Sequence, residues 1–318
     1  MNKKIIKMVF RRIAQSIIVI FIVTLIVFLL MQLVPGDPIV NFLGANATQD
    51  QIEYYTKLFG YDQPVMVQYF KWIKGLFHGE MGRSVAMQRE ISDILFERLG
   101  VTLSIVIPAF IFAVVLGVVL GIIAAKNRGK AIDSIISVIA NIGMSMPMFW
   151  FGMILILCFG LRLHILPTSG AVRFSDGFIP WIRHIILPMI VLAMNPLAQF
   201  TRQTRSSMLE VIRQDYVTTA KAKGISQKAI TLKHQLRNAL IPIITVMGVT
   251  LGGMIGGTVL VESIFVIPGL GNLMITSIKG RDFMVVCDGV LVISIAVAIC
   301  NLVVDILYGV IDPRIRND

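Results

Sequence analysis

The residue types that most often carry chemistry are few and scattered in this sequence. The three cysteines, Cys158, Cys287 and Cys300, lie far apart in or near apolar runs, so they form neither a disulfide framework nor a CxxC metal site. The four histidines are equally dispersed, and no HExxH or GxSxG motif occurs. These patterns exclude the common hydrolase centres. We therefore predict no metal site and no enzyme activity for the chain.

A phosphate-binding loop is absent from the sequence as well. Such a loop needs the pattern GxxxxGK[ST], in which backbone N–H groups surround the phosphates. The only Gly-Lys pair, Gly129-Lys130, is followed by alanine and lacks the upstream glycine. The chain is therefore expected to bind no cofactor itself. If its work is driven by ATP, the ATPase must be a separate polypeptide.

The strongest candidate for a functional segment is the basic stretch 215–242, which lies between two apolar runs. Short loops rich in Lys and Arg stay on the cytoplasmic side of a membrane, where a soluble partner reaches them. The small residues Ala220, Ala222 and Gly224 precede a second helical pattern that ends at Pro242. We predict a projecting helix-turn-helix that docks a partner, with Gly224 ending the first helix in a left-handed conformation or at a close backbone approach. A bulky side chain at Ala220 is expected to hold it out of the partner's groove.

An acidic side chain, Asp288, enters one of the apolar runs. A carboxylate at that position is costly unless it is hydrated or paired. It could attract the ammonium group of a peptide or another cationic substrate. Alternatively, it could be hydrated at the outer rim of the membrane or paired with Arg281 or Lys279.

The composition indicates the class of protein that holds these residues. Of 318 residues, 56% are hydrophobic and 15% are charged, and the mean hydropathy is +0.82. Soluble domains average about 25% charged residues, so the chain is predicted to be a polytopic, all-α membrane protein in contact with lipid. The net charge of +11 comes from loops beside apolar runs and does not form a basic stripe. No nucleic acid partner is expected.

Six apolar runs are long enough to cross about 30 Å of hydrocarbon at about 1.5 Å per residue. The runs lie at 13–34, 101–125, 133–160, 183–201, 239–262 and 285–309. Basic residues concentrate before the first run, between the second and third, between the fourth and fifth, and after the sixth. This asymmetry predicts that both termini lie in the cytoplasm.

These runs divide the chain into four parts. Residues 1–34 are predicted to hold the cytoplasmic N-terminus and the first span, and 35–100 an external cap. Residues 101–309 form a five-span core that includes a cytoplasmic coupling loop at 202–238, and 310–318 a cytoplasmic tail. Within the cap, helical spacing predicts two helices at about 50–59 and 65–77.

The order of short motifs resembles the dipeptide/oligopeptide/nickel permease family of ATP-binding-cassette importers. The basic loop resembles the "EAA" coupling loop of such permeases in its long form, in which the proline stands farther from the glycine. The motifs that carry the resemblance run nearly from end to end: Pro35-Gly-Asp-Pro38, Tyr61-Asp-Gln-Pro64, Met81-Gly-Arg-Ser84, Leu166-Pro-Thr-Ser-Gly170, Arg202-Gln-Thr-Arg205-Ser, Val261-Glu-Ser-Ile-Phe265, Pro268-Gly-Leu-Gly271, Asn301-Leu-Val-Val-Asp305 and Asp312-Pro-Arg314. The chain departs from the family where Met284 replaces proline and at Cys287-Asp288.

The resemblance implies a complex in the bacterial or archaeal inner membrane. Its partners would be a second homologous permease subunit, two cytoplasmic ATPase subunits that hold ATP and Mg, and an extracytoplasmic substrate-binding protein. The chain would form half of a pathway that works by alternating access. A short peptide is the expected cargo, and nickel, a metal chelate or glutathione is the alternative within the family.

The resemblance also assigns the coupling loop its residues. The positions expected to act in coupling are Asp215, Tyr216, Ala220, Ala222, Lys223, Gly224, His234, Arg237, Asn238 and Pro242. Two other classes compete with this interpretation. A secondary transporter would be expected to carry inverted repeats and buried ion-coupling residues, and a membrane-embedded enzyme would need a reactive constellation; the sequence contains none of these.

Overall fold

The computed structural model describes residues 3–34, 38–44 and 47–311. It gives side-chain placements in these ranges except for 3–8, 307–311, Pro38, Asn41, Phe42, Lys221, Lys228, Leu232, His234 and Asp305. The predicted motifs at 35–37 and 312–314 therefore fall outside the described residues. The described part contains no β-strand, only an isolated bridge between Arg83 and Glu90. The all-α prediction is confirmed.

Thirteen α-helices form the described part of the chain. In the N-terminal third they are α1 (Lys3–Gln32), α2 (Pro38–Leu43), α3 (Gln49–Phe59), α4 (Val65–Phe77) and α5 (Ile91–Lys126). The middle contains α6 (Ala131–Ser145), α7 (Met148–Leu155, extended by the π-helical turn Ile156–Arg162) and α8 (Phe178–Ile212). The rest contains α9 (Asp215–Ala222), α10 (Gln227–Ala229, extended by the π-helical turn Ile230–Gln235), α11 (Leu236–Ile264), α12 (Leu270–Gly280) and α13 (Phe283–Ile311).

Five of these helices contain a segment long and apolar enough to cross a membrane: α1, α5, α8, α11 and α13. A sixth candidate is the pair α6 and α7, which passes the same test together but bends by 105°. Pro147 lies at the break. Proline has no N–H for a helical hydrogen bond, and it disfavours helical geometry in the preceding residue, Met146, which is extended here at ψ 125°.

Proline does not break every helix that contains it. Pro188 and Pro196 lie inside α8, which continues through both without interruption. Of the prolines Pro147, Pro188 and Pro196, therefore, Pro147 alone stands at a break.

The chain forms two compact units. The first comprises residues 1–11, 103–267 and 297–318. Its centre is α8, which α5 approaches closely at two glycines. A Cβ atom added to Gly117 would lie 2.8 Å from Phe200, and one added to Gly121 would lie 2.5 Å from Thr204. Only glycine fits at these two positions, since larger residues would force the two helices apart.

Glycines also shape the packing of α11. Gly248 and Gly252 face valines of α13. A Cβ atom built on Gly248 would lie 2.6 Å from Val304, and one built on Gly252 would lie 3.2 Å from Val297. Gly253 and Gly256 have no other atom within 4 Å of a built Cβ. One face of α11 therefore packs within the unit, and the face that carries Gly253 and Gly256 stays open.

The second unit comprises residues 12–102 and 268–296. The two helices predicted at about 50–59 and 65–77 are confirmed as α3 and α4. Thr48 and Gln51 form a capping box at the start of α3. One face of α4 is buried, where Tyr69 and Trp72 pack against Phe28 of α1 and residues of α13.

A second apolar cluster of this unit joins the first turns of α5 to α12 and α13. Its buried members include Ile91, Leu95, Leu273 and Val285. The segment after α4 is tied down by a buried hydrogen bond in which the Ser84 hydroxyl donates to the Asp282 carboxylate. These contacts hold the cap segment as a folded part of the second unit.

Candidate functional site

The predicted helix-turn-helix is present in the first unit as the helices α9 and α10. Helix α9 ends at Ala222, and Gly224 follows with φ of 73°. The N–H of Ile225 then bonds to the carbonyl of Ala220, which closes the turn. Ser226 begins α10 by accepting from the N–H of Ala229. Glycine suits the turn because a left-handed conformation costs other residues about 1 kcal/mol or more.

The two helices share a small apolar interior. Val217, Ala220 and Ile230 are buried, and Ile225 packs against them. Ala220 therefore faces α10 and does not lie on the outer surface of the pair. This corrects the expectation that a bulky residue at position 220 blocks a partner's groove, because it would first push α9 and α10 apart.

The outer surface of the pair is formed by the residues around the turn. Ala222, Lys223 and Gly224 are exposed, and no other atom lies within 4 Å of a Cβ built on Gly224. Asp215, in the first turn of α9, is exposed as well. A partner can therefore reach the backbone at Gly224, which carries no side chain, beside the exposed Lys223.

A side-chain hydrogen bond connects the first turns of α9 and α11. The Asn238 amide donates to the Tyr216 hydroxyl at 2.8 Å, and Tyr216 is 39% exposed. Arg237 is exposed beside it. The side chain of His234 lies outside the described set. The loop is thus fixed to α11 by this bond and by the π-helical turn that joins α10 to α11.

The sequence suggested that the second helical pattern ends at Pro242, but the structure shows that it does not. It lies exposed inside α11, which begins at Leu236 and runs on to Ile264. A proline cannot donate to the carbonyl four residues earlier, which is that of Asn238. The helix nevertheless continues, so the loop is followed directly by a membrane helix without a break.

The loop directly follows α8. An ion pair holds the C-terminal part of α8 against α6. Arg205 Nε lies 2.6 Å from Asp133 Oδ1, and a second guanidinium nitrogen lies 2.8 Å from Oδ2. The backbone N–H of Gly129 donates to the same carboxylate at 3.1 Å. Asp133 is buried at the start of α6. This two-point geometry fixes the end of α8 against α6 more firmly than a single contact would.

Arg205 belongs to one of the family motifs, but its partner is not evident from the sequence. Asp133 follows Lys130 closely, so it looks like one more charge of a polar loop. The available signal was the cost of an acidic residue at the start of an apolar run, which argues for a paired base.

Asp288 lies in the second unit and is 0% exposed. Its Oδ1 accepts a hydrogen bond from the Trp72 indole at 2.8 Å, and its Oδ2 has no partner among the described residues. Hydration at the rim is therefore wrong, because no solvent reaches the residue. The structure records no ion pair with Arg281 or Lys279 in this part of the chain, and a substrate cannot touch the carboxylate in this conformation.

Comparisons with known proteins match nearly the whole chain. The model of the family described as "Binding-protein-dependent transport system inner membrane component" matches residues 117–317, and that of its N-terminal region matches 5–106. The di/tripeptide transport system permease protein DppB of Pseudomonas aeruginosa is 38% identical over 96% of this chain and 98% of its own. The oligopeptide transport system permease protein AppB of Bacillus subtilis is 37% identical over 97% and 98%. The dipeptide transport system permease protein DppB of Escherichia coli is 36% identical over 93% and 94%.

Solved structures give the same fold at lower identity. A chain of the MetNI methionine ABC transporter in an inward-facing conformation matches with a TM-score of 0.56 and 18% identity, covering 69% of this chain and 96% of that one. A second crystal form of the same transporter, soaked with selenomethionine, matches with a TM-score of 0.57.

Proposed function

The chain belongs to the family of binding-protein-dependent transport system inner membrane components, and from this membership we propose that it forms half of the pathway of a peptide importer. It is a multi-pass permease subunit of an ABC importer in the bacterial inner membrane. Di- or oligopeptides are the proposed cargo, because relatives named for peptide transport cover nearly the whole chain at 36–38% identity.

The energy is proposed to come from two cytoplasmic ATPase subunits that hold ATP and Mg. The sequence has no phosphate loop of its own. The exposed turn of the coupling loop, at Ala222–Gly224, is the proposed contact with an ATPase. Because α8 enters this loop and α11 leaves it, a push on the turn would reach two membrane helices directly. The change between inward-facing and outward-facing states would follow from that movement.

The second permease subunit is proposed to pack on the open face of α11. Val249, Gly253, Gly256 and Leu260 recur there at helical spacing, and Val249 is 77% exposed. Small residues let two membrane helices approach closely, so this face suits a second helix. The binding protein is proposed to deliver cargo to the cap side, with both termini in the cytoplasm.

The experiment that tests this function is purification of the complex from its native membrane through a tag on this chain. Two ATPase subunits and a second permease are expected to copurify. After reconstitution in proteoliposomes with the binding protein, uptake of tri-alanine is expected to require ATP. Nickel, a nickel chelate and glutathione serve as competitors. Uptake that continues without ATP would identify a secondary transporter, and competition by nickel or glutathione alone would reject the peptide assignment.

A further inference from the structure

A cavity lies at the break between α6 and α7, within the first unit. It is a shallow, widely open groove with a volume of about 550 Å³. Six residues from both sides of the break line it, and we call this cavity the notch. The lining residues are Asn141, Ile142, Ser145, Met146, Pro147 and Trp150.

The notch continues a face of α6 that carries several polar side chains. Ser134, Asn141 and Ser145 recur there at intervals of seven and four residues and are exposed, with the exposed Val138 between them. The opposite face carries Ile132 and Ile139, which are exposed too. Lipid tails suit the isoleucine face. The polar face needs water or a polar partner, because an unpaired polar group in hydrocarbon costs several kcal/mol.

The chemistry of the notch matches a neutral amide. The carboxamide of Asn141 both donates and accepts hydrogen bonds, and so does the hydroxyl of Ser145. Neither side chain is bonded to another described residue. Trp150, 49% exposed, and Met146 supply an apolar wall. A peptide bond flanked by an apolar side chain presents the complementary groups.

The lining also disfavours a metal cargo at this place. It contains no carboxylate, imidazole or thiolate, which are the ligands that first-row metals prefer, and its one thioether is a soft, weak ligand. The absence of a fixed charge suits a passage site, since cargo must bind well enough to enter and weakly enough to leave.

The break itself supports a position on the cargo pathway. Non-helical backbone within a membrane is tolerated only where protein buries it or where it lines a water-filled cavity, and broken helices in transporters commonly flank the cargo. The backbone at Met146 and Pro147 is non-helical and forms part of the notch wall.

From these observations we propose that the notch is a subsite for the backbone and an apolar side chain of the transported peptide, with Asn141 and Ser145 as its hydrogen-bonding groups. This proposal rests on the proposed function, because it assumes a peptide cargo.

The test combines cysteine labelling with transport in the reconstituted complex and its binding protein. In a chain whose three native cysteines are replaced by alanine, Ser145→Cys is expected to react with a water-soluble maleimide. Tri-alanine with the binding protein should slow this reaction at least threefold in one state of the ATP cycle. Ile139→Cys on the isoleucine face is the matched control and should react poorly in every state.

Transport gives the second measurement. Asn141→Leu is expected to lower tri-alanine uptake about 3- to 10-fold at subsaturating peptide, the effect of losing one or two neutral hydrogen bonds. Ile139→Leu should leave uptake unchanged, and gel filtration checks that both variants assemble. The notch assignment is overturned if Ser145→Cys stays unreactive, if peptide does not protect it, or if Asn141→Leu transports normally. Wild-type vesicles that take up no peptide would instead contradict the proposed function itself.

Discussion

The buried hydrogen bond between Trp72 and Asp288 is expected to stabilise the packing of α4 against α13 in the second unit. Trp72 lies on α4, Asp288 lies on α13, and the indole donates to the carboxylate at 2.8 Å in the interior of the second unit. Removing one partner leaves the other buried and unsatisfied, which costs about 1–3 kcal/mol. The substitutions Trp72→Phe and Asp288→Leu should each produce this loss, since each removes one end of the bond.

Asp288→Asn should behave differently. Asparagine keeps an oxygen that accepts from the indole and removes the charge, and a buried charge without a paired base is unfavourable. We therefore expect a change of less than about 1 kcal/mol, with peptide transport retained. An attraction between Asp288 and a cationic part of the cargo predicts the opposite, a clear loss of transport in Asp288→Asn.

Backbone hydrogen exchange of α4 in the purified complex measures the difference. At about 1.4 kcal/mol per tenfold, the amides of α4 should exchange about 5- to 150-fold faster in Trp72→Phe and Asp288→Leu, and nearly as in the wild type in Asp288→Asn. The double variant Trp72→Phe/Asp288→Leu should cost less than the sum of the two single changes. If the amides of α4 exchange as slowly in Asp288→Leu as in the wild type, the structural role of this hydrogen bond is refuted.

Three further outcomes follow from the first unit and from the topology. Gly224→Val should lower the amount of copurified ATPase more than Gly224→Asn does, because asparagine adopts the left-handed conformation more readily than valine. Equal losses of ATPase in the two variants would show that the geometry of the turn does not determine ATPase binding. Asp133→Ala should destabilise the complex by about 1–3 kcal/mol in thermal unfolding. This is less than the loss expected for a fully buried ion pair, because Arg205 is partly exposed. Exchanging the two charges, with Asp133→Arg and Arg205→Asp together, should recover part of the lost stability. In intact cells without other cysteines, Gln49→Cys should react with an impermeant thiol reagent and Gln227→Cys should not, and the reverse pattern would invert the topology.

Hydropathy predicted the membrane helices because long apolar runs leave few alternatives in a bilayer, but it misplaced several ends. Helix α5 begins at Ile91, ten residues before the predicted run, since the polar stretch that starts it is held by the buried Ile91 and Leu95. Helix α8 continues to Ile212 for a similar reason, because Met208 is buried against Ala125 and Ala239. Tertiary packing decides these ends, and hydropathy does not record it.

The candidate site was predictable to the extent that local rules govern it. Gly224 could be placed in a left-handed turn because few other residues adopt that conformation without strain. The inward position of Ala220 and the partner of Asp288 depend on which helices meet, and a single sequence does not contain that information. The same holds for the notch, because the spacing of Asn141 and Ser145 on one helix face does not show that the 105° bend brings Trp150 to the same groove.

We propose a mechanical route within the first unit, from the coupling loop to the notch. A displacement of the turn at Gly224 would act on α8, and Arg205 would transmit it to Asp133 through two short hydrogen bonds. From Asp133 the helix α6 extends to its end at Ser145, a length of about 20 Å. Because Pro147 separates α6 from α7, we infer that α6 can move at this point without carrying α7, which would open or close the notch. The pair Asp133–Arg205 is then the link whose loss should uncouple peptide movement from ATP hydrolysis, so Asp133→Asn should leave ATPase activity measurable while it lowers the peptide transported per ATP. An unchanged ratio would place the coupling route elsewhere.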